Sequence, residues 1–280
     1  MQSPERRLEI AGDRVRWMHD NAPVVEAPLG SVLALLRDRL GYDALPDAMP
    51  EGVRFLRRRG QAVVLALEDQ PQVRTVRWLM DDSPEPKGEG ATYWTVRLAF
   101  PFVVMVVAFF GGALTGVQEL FYRTRPLRDA DDGLSQPNML NVAASGGRPC
   151  WLCLKALTTD LAPLPWDEKI REIREHVWGA TFNRSADLRT GQSSYWTVMR
   201  GLDPRVATIE AWETATREDR FFPLDVAWRP DGRSIGQVMA DMLDTVAPPE
   251  LPATADGLAL LVTECASEAV GPRRRGRRRP

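Results

Sequence analysis

From Leu98 to Leu114 the chain reads Leu-Ala-Phe-Pro-Phe-Val-Val-Met-Val-Val-Ala-Phe-Phe-Gly-Gly-Ala-Leu, with no charge. A stretch this apolar has to be buried, and two ways of burying it compete. A helix that spans a bilayer needs about 20 apolar residues, and this run falls just short. Pro101 also lies near its start and Gly111-Gly112 near its end. A buried β-strand closed by a turn fits better, because Val, Phe and Met suit a pleated, packed surface and Gly-Gly ends the run. The run therefore predicts a strand over 103–110, with no membrane contact.

The residues around it extend the pattern. Residues 1–20 alternate charged and apolar positions (Leu8, Ile10, Val15, Trp17) and predict a strand pair turning at Gly12-Asp13. Leu29, Val32, Leu33, Leu36 and Leu40 share one face of a helix over 27–40, which Gly41 stops. A linker follows at 46–50. Arg54 to Glu68 reads as a strand whose buried part is Gln61 to Leu67, pairing across Asp69-Gln70-Pro71 with a strand from Val73 to Met80. The polar, Pro- and Gly-rich 82–90 is a loop. Tyr93 to Phe100 is a further strand, and Glu119 to Tyr122 a last short one. These strands predict an antiparallel meander, and hence an α+β fold once the helices behind them are counted.

Those helices are expected over 167–182, with Ile170, Ile173, Val177 and Trp178 on one stripe, over 204–216, with Val206, Ile209 and Trp212 inward, and over 234–246. The last opens on Ser234-x-x-Gln237, a capping box. A chain of 280 residues with 44 % hydrophobic content can bury a sizeable core, as one large domain or two small ones.

Between the strands and the helices lies the segment richest in chemistry, Gln136-Pro137-Asn138, a Gly-containing loop, then Gly147-Arg148-Pro149-Cys150-Trp151-Leu152-Cys153. It puts a side-chain amide close in sequence to a thiol. That pairing suits acyl transfer through a thioester: Cys150 as nucleophile, and the Asn138 amide as hydrogen-bond donor to a tetrahedral oxyanion. Pro137 fixes the backbone before Asn138. The alternative for Asn138 is a turn residue bonding its own backbone.

Cys150 and Cys153 together admit other readings. A Cys-x-x-Cys can be half of a zinc site or a redox pair. The remaining soft ligands, Cys265, His19 and His176, are distant in sequence, and a thioredoxin-like pair belongs at a helix N-terminus in a βαβ setting. No metal is expected on these grounds. Both cysteines can also be plain core residues, which would leave a binding-only domain, and Cys153 is the better core candidate. His176 falls on a helix surface. Asp160, Asp167 and Glu168 could orient an incoming amine, but acidic residues at a helix start are expected for the dipole alone. Trp151 is read as packing.

In its Pro137-Asn138…Gly147-x-x-Cys150 order the chain resembles the ubiquitin-conjugating enzymes, which carry His-Pro-Asn, a loop, then Gly-x-apolar-Cys-Leu. Gln136 stands where that family has His. The upstream context, strand from Tyr93, Phe100-Pro101, apolar strand, turn, Phe121-Tyr122 and Arg125-Pro126-Leu127, is similar to the bacterial ubiquitin-conjugating-like proteins of the PRTRC system, protein B type. Trp166 to Asn183 looks like the helix those proteins place after the cysteine. The resemblance covers roughly residues 50–185. It implies a ubiquitin-conjugating-like fold and an acyltransferase that takes a ubiquitin-like protein from a ThiF-like activating enzyme onto Cys150 and passes it to an acceptor. The conjugating step itself needs no cofactor, since the ATP chemistry belongs to the activating partner. A non-catalytic scaffold of the same fold that binds a ubiquitin-like protein is the alternative. The corresponding organisation is an N-terminal extension over 1–50, a ubiquitin-conjugating-like core over 51–185, a C-terminal helical region over 186–265 and a disordered arginine-rich tail over 266–280.

Charge and cysteine count complete the reading. Net charge is −2, but six arginines fall within 273–279, and the rest of the chain carries 30 basic against 38 acidic residues. The tail is expected to be a solubilising end, with nucleic-acid binding as the functional alternative; no aromatic residues are interleaved for base stacking. Three cysteines make no disulfide framework, and the opening residues, without a charged-plus-apolar run, lead us to expect no signal segment. A reducing cytoplasm, where Cys150 stays a free thiol, is the expected compartment.

Overall fold

The computed structural model describes residues 6–20, 22–40, 49–79, 90–138, 142–145, 148–151, 157, 160–182, 201–247, 259–260, 262–263 and 265–266. Of these, 6, 36–40, 143–145 and 148–151 are described by backbone alone. Cys153, the 82–89 stretch of the expected loop and the arginine tail lie outside the described residues. The chain packs into two units, one formed by Met1–Asp43 with Pro248–Pro280, the other by Ala44–Ala247.

The smaller unit is an antiparallel sheet in the order β1 (Arg6–Ala11), β2 (Arg14–His19), β3 (Ala22–Pro28), followed by α1 (Leu29–Leu40). Gly12 takes φ +61° in the two-residue turn between β1 and β2, a conformation that costs glycine little. Val15, Ala27 and Val32 form a small core with Val262 and Cys265. β3 occupies residues that sequence reading left unassigned or gave to the start of the helix.

The larger unit is built on a central sheet. Its strands are β4 (Val53–Arg59), β5 (Ala62–Asp69), β8 (Phe102–Phe110), β9 (Ala113–Arg123), β12 (Arg148–Trp151) and β11 (Val142–Ser145), in the order β11-β12-β9-β8-β5-β4. Two short strands, β10 (Gly133–Ser135) and β14 (Pro230–Ser234), extend it from β9. The apolar run of the sequence is β8, paired with β5 on one side and β9 on the other. Among the described residues no helix is long and apolar enough to cross a membrane.

Two pairings differ from expectation. Arg54 to Glu68 is a hairpin rather than one strand, because Gly60 at φ +57° turns the chain between β4 and β5. β6 (Gln72–Leu79) does not pair with β5, since β4 and β8 already take both of its edges. Instead β6 pairs with β7 (Tyr93–Phe100), and with the two-residue β13 (Thr181–Phe182) makes a separate sheet in the order β13-β6-β7. The meander is therefore interrupted, and the architecture is α+β with antiparallel pairing throughout the central sheet.

The two faces of the central sheet carry different side chains. One presents Leu65, Leu67, Met105, Phe109, Leu120 and Tyr122, and packs on β6–β7, α2 (Trp166–Gly179) and α3 (Ile209–Glu218). The other presents Ala62, Val64, Ala66, Val104, Val106 and Ala108, and packs on α4 (Ile235–Val246). Small side chains let a helix sit close to a sheet. Gly236 on α4 continues the theme, because a Cβ there would lie 2.8 Å from the Ala130 carbonyl oxygen. The capping box is present, with Ser234 Oγ accepting from Gln237 N at 3.3 Å and Gln237 Oε1 from Ser234 N at 2.9 Å.

Candidate functional site

β9 meets the chemistry-bearing segment twice along one edge. Ser135 of β10 lies opposite Tyr122, and Cys150 of β12 lies opposite Glu119. The chain between them therefore leaves β9 at residue 135 and returns to it as the β11–β12 hairpin, in which Ala143 lies opposite Cys150. Pro137-Asn138 stands just before that hairpin.

Asn138 is 1 % exposed. Its Nδ2 donates to the Val206 carbonyl at 3.1 Å, and its own carbonyl accepts from Tyr122 Oη at 3.4 Å. Upstream, the Gln136 N–H donates to the Arg229 carbonyl at 2.8 Å. Val206 sits in the 3₁₀ turn Pro204–Val206, which Asp203 caps by accepting from Arg205 N at 2.8 Å. Asn138 Oδ1 and Gln136 Oε1 are buried with no hydrogen-bond partner among the described residues. Such atoms are costly in a folded protein and mark a polar spot inside an apolar setting.

Tyr122 holds this segment from below. Its ring is wholly buried, meets Trp228 edge-on at 5.0 Å between centroids, and burial pushes its hydroxyl pKa well above the ordinary tyrosine value. The hydroxyl is therefore a permanent donor. Trp228 is fixed in turn, its Nε1 donating to the Pro223 carbonyl at 2.9 Å.

Glu119 is 3 % exposed on the otherwise apolar face that α4 covers. Arg233 Nη2 donates to its Oε2 at 2.7 Å, and Arg233 Nε donates to Asp231 Oδ1 at 2.6 Å. The guanidinium lies 5.6 Å from the centre of the Phe121 ring. Burial opposes the charge on Arg233, but the hydrogen bonds it donates to Asp231 and Glu119 outweigh it and hold the group above its ordinary value.

Ser135 and Cys150 thus pair along the same edge of β9, while Asn138 is held by Tyr122 and Val206 on the sheet face opposite to Glu119, with one N–H of its amide committed to Val206. Asp160 accepts from Ala162 N at 3.0 Å, and Asp167 and Glu168 occupy the first turn of α2, with His176 in its last turn. Among the described residues no group of three or more His, Cys, Asp or Glu side chains could hold a metal ion. Sequence reading missed Glu119, Arg233, Tyr122 and Val206 as neighbours of the motif. For Glu119 a signal was available: one carboxylate inside a strand that ends Leu120-Phe121-Tyr122. For Val206, distant in sequence, there was none. No family model, curated protein or solved structure matches the chain.

Proposed function

We propose that the chain is a ubiquitin-conjugating-like carrier, with a core of that fold, and that Cys150 holds the acyl group of a ubiquitin-like protein as a thioester. The thiolate would attack the acyl carbon of an activating enzyme's thioester, and the enzyme's thiolate would leave. An acceptor amine would then displace Cys150 and lose its proton. The supporting observation is the anchoring of Gln136-Pro137-Asn138, Gln136 to Arg229 and Asn138 to Val206 and Tyr122, a few residues before the hairpin that carries Cys150. A segment tied at both side chain and backbone presents the following hairpin in a reproducible position, which is what positional catalysis requires.

One observation favours a modified role for Asn138. Its burial and its bond to Val206 suit the ordering of this segment more than direct donation to an oxyanion. On this reading Cys150 alone contacts the acyl carbon.

The test is reconstitution of the full chain with ATP, a ThiF-like activating enzyme and a ubiquitin-like protein. A thiol-sensitive adduct that disappears in Cys150→Ala and survives in Cys153→Ser supports the carrier reading. Absence of any adduct in the wild type, while the ubiquitin-like protein still binds, would favour the non-catalytic scaffold.

A further inference from the structure

The β6–β7 hairpin buries one face and shows the other to solvent. Val76, Trp78, Val96, Leu98 and Phe100 point into the core. Residues directly opposite in an antiparallel pair share a face, so Thr75 with Arg97 and Arg77 with Thr95 stand together on the outer one. All four are exposed, and Tyr93 beside them is half-buried. No carboxylate lies on this face of either strand. Protein surfaces ordinarily intersperse both signs of charge, and Arg54, Arg59, Arg123 and Arg233 of this chain each meet a carboxylate. Arg77 and Arg97 meet none among the described residues. The Arg77 guanidinium lies instead 5.2 Å from the centre of the Tyr93 ring. At its Arg97 end the face runs into a cavity of about 530 Å³, lined by Arg97, Arg217 and Arg220 with Glu213 and Glu218. Arg217 Nη2 donates to Glu213 Oε2 at 3.0 Å, which leaves Arg97 and Arg220 against Glu218 alone.

We infer that this face binds single-stranded nucleic acid, with phosphates on Arg77, Arg97 and Arg220 and a base on Tyr93. The inference goes beyond the carrier reading and does not depend on Cys150. Single strands are held by a cationic track joined to aromatic rings, because every base has a π-face to stack. A duplex keeps its bases stacked on one another, so only an unpaired strand can use Tyr93. The outer face of the hairpin supplies both parts. Arg77 covers the Tyr93 ring and places a cation beside the stacked base. Thr75 and Thr95 add hydroxyl donors for phosphate oxygens. The cavity has the size of a small-ligand site, so a phosphate with its sugar enters it between Arg97 and Arg220. An acidic peptide would pair with the arginines but would gain nothing from Tyr93. The arginine-rich stretch 273–279 has the charge and no interleaved aromatic residue; this face has both.

The test follows the fluorescence anisotropy of a labelled oligothymidylate added to the full-length chain at increasing salt. Each phosphate contact to a single strand adds about 0.7 to the slope of log affinity against log salt. Arg77→Ala and Arg97→Ala are each expected to reduce the slope by about that much. Both positions are exposed, so circular dichroism and melting temperature stay as in the wild type. Tyr93→Ala is expected to weaken binding roughly tenfold at an unchanged slope, and Tyr93→Phe to restore it. If Tyr93→Ala does not fold, the two arginine variants decide. Photocrosslinking of a thiothymidine-substituted strand, read by peptide mass spectrometry, separates this face from the arginine-rich stretch. Crosslinks to the peptide that holds Tyr93 support the inference, and crosslinks confined to 273–279 overturn it. Unchanged slopes in both arginine variants overturn it as well. So does polyglutamate that displaces the labelled strand as effectively as unlabelled oligothymidylate, since the face would then take an acidic polypeptide.

Discussion

Trp178 on α2 donates its indole N–H to the Asp69 carboxylate at the end of β5, 2.7 Å away. The same Oδ2 accepts from Arg74 Nη2 at 2.6 Å, Arg174 pairs with Oδ1 at 3.0 Å, and the Arg74 guanidinium lies 3.8 Å from the centre of the Trp178 ring. One carboxylate thus ties the central sheet, the second sheet and α2 together. Asp69→Asn leaves Arg74 and Arg174 facing each other without their counter-charge, and a broken buried pair of this kind costs about 3–5 kcal/mol. Trp178→Phe keeps the ring under Arg74 and loses only the indole bond, for about 1 kcal/mol. Urea denaturation of both variants checks the order, and equal losses would refute the central role given to the carboxylate.

Asn138 offers a sharper contrast between two substitutions. Asn138→Ala removes the donor to Val206 together with the unpartnered Oδ1, so it exchanges one cost for another and is expected to lose about 1 kcal/mol. Asn138→Asp sets a buried carboxylate against the Val206 carbonyl and is expected to lose about 3 kcal/mol or more. If Asn138 orders the segment, thioester yield falls in step with stability across the pair. A direct oxyanion role would instead abolish transfer in a well-folded Asn138→Ala.

Tyr122 gives the chain an alkaline sensitivity with a definite sign. Its folded-state pKa is raised by burial, while in the unfolded chain the phenol ionises near pH 10. Above that pH the unfolded state releases a proton that the folded state keeps, so stability falls as pH rises. Tyr122→Phe removes this component, and its small cost at neutral pH is expected to shrink or reverse above about pH 10. Melting temperatures of both proteins from pH 7 to 11 read it out; parallel curves would contradict the assignment.

At the start of α4 the reciprocal bonds of Ser234 and Gln237 satisfy two N–H groups that no helical carbonyl can reach. Ser234→Ala is expected to cost about 1 kcal/mol and Ser234→Gly only a few tenths, measured by thermal denaturation. Ser234 also follows Arg233 directly, so this pair of variants shows whether a frayed helix start alone disturbs the ionic group on β14.

The parts of the fold that were legible in the sequence are those that local chemistry decides. The Gly12-Asp13 turn, the burial of β8, the stripe of α2 and the cap of α4 all follow from residues within a few positions of one another. What was illegible is which strand lies beside which. Asp69-Gln70-Pro71 looks like the turn of a hairpin, and nothing nearby tells that β8 has the stronger claim on the free edge of β5. The 204–216 helix splits for a similar reason: Asp203 caps a 3₁₀ turn, and Thr208 opens α3 by accepting from Ala211 N at 3.1 Å. Of the site, the order Pro137-Asn138…Cys150 was visible. Val206, which holds Asn138, and Arg233, which pairs with Glu119 in the strand beside Cys150, come from segments far along the chain.

The excursion of β6–β7 out of the meander favours a folding order. β4–β5, β6–β7 and β8–β9 are each joined locally, and hairpins of this kind form in about 1–10 μs. The seam between β5 and β8 joins Asp69 to Val103 and Ala62 to Phe110 across the whole intervening pair of strands, so closing it costs less loop entropy once β6–β7 has formed. Until then the two most apolar strands of the chain each have an open edge, and the newly made protein depends on finishing β6–β7 before a second molecule finds those edges.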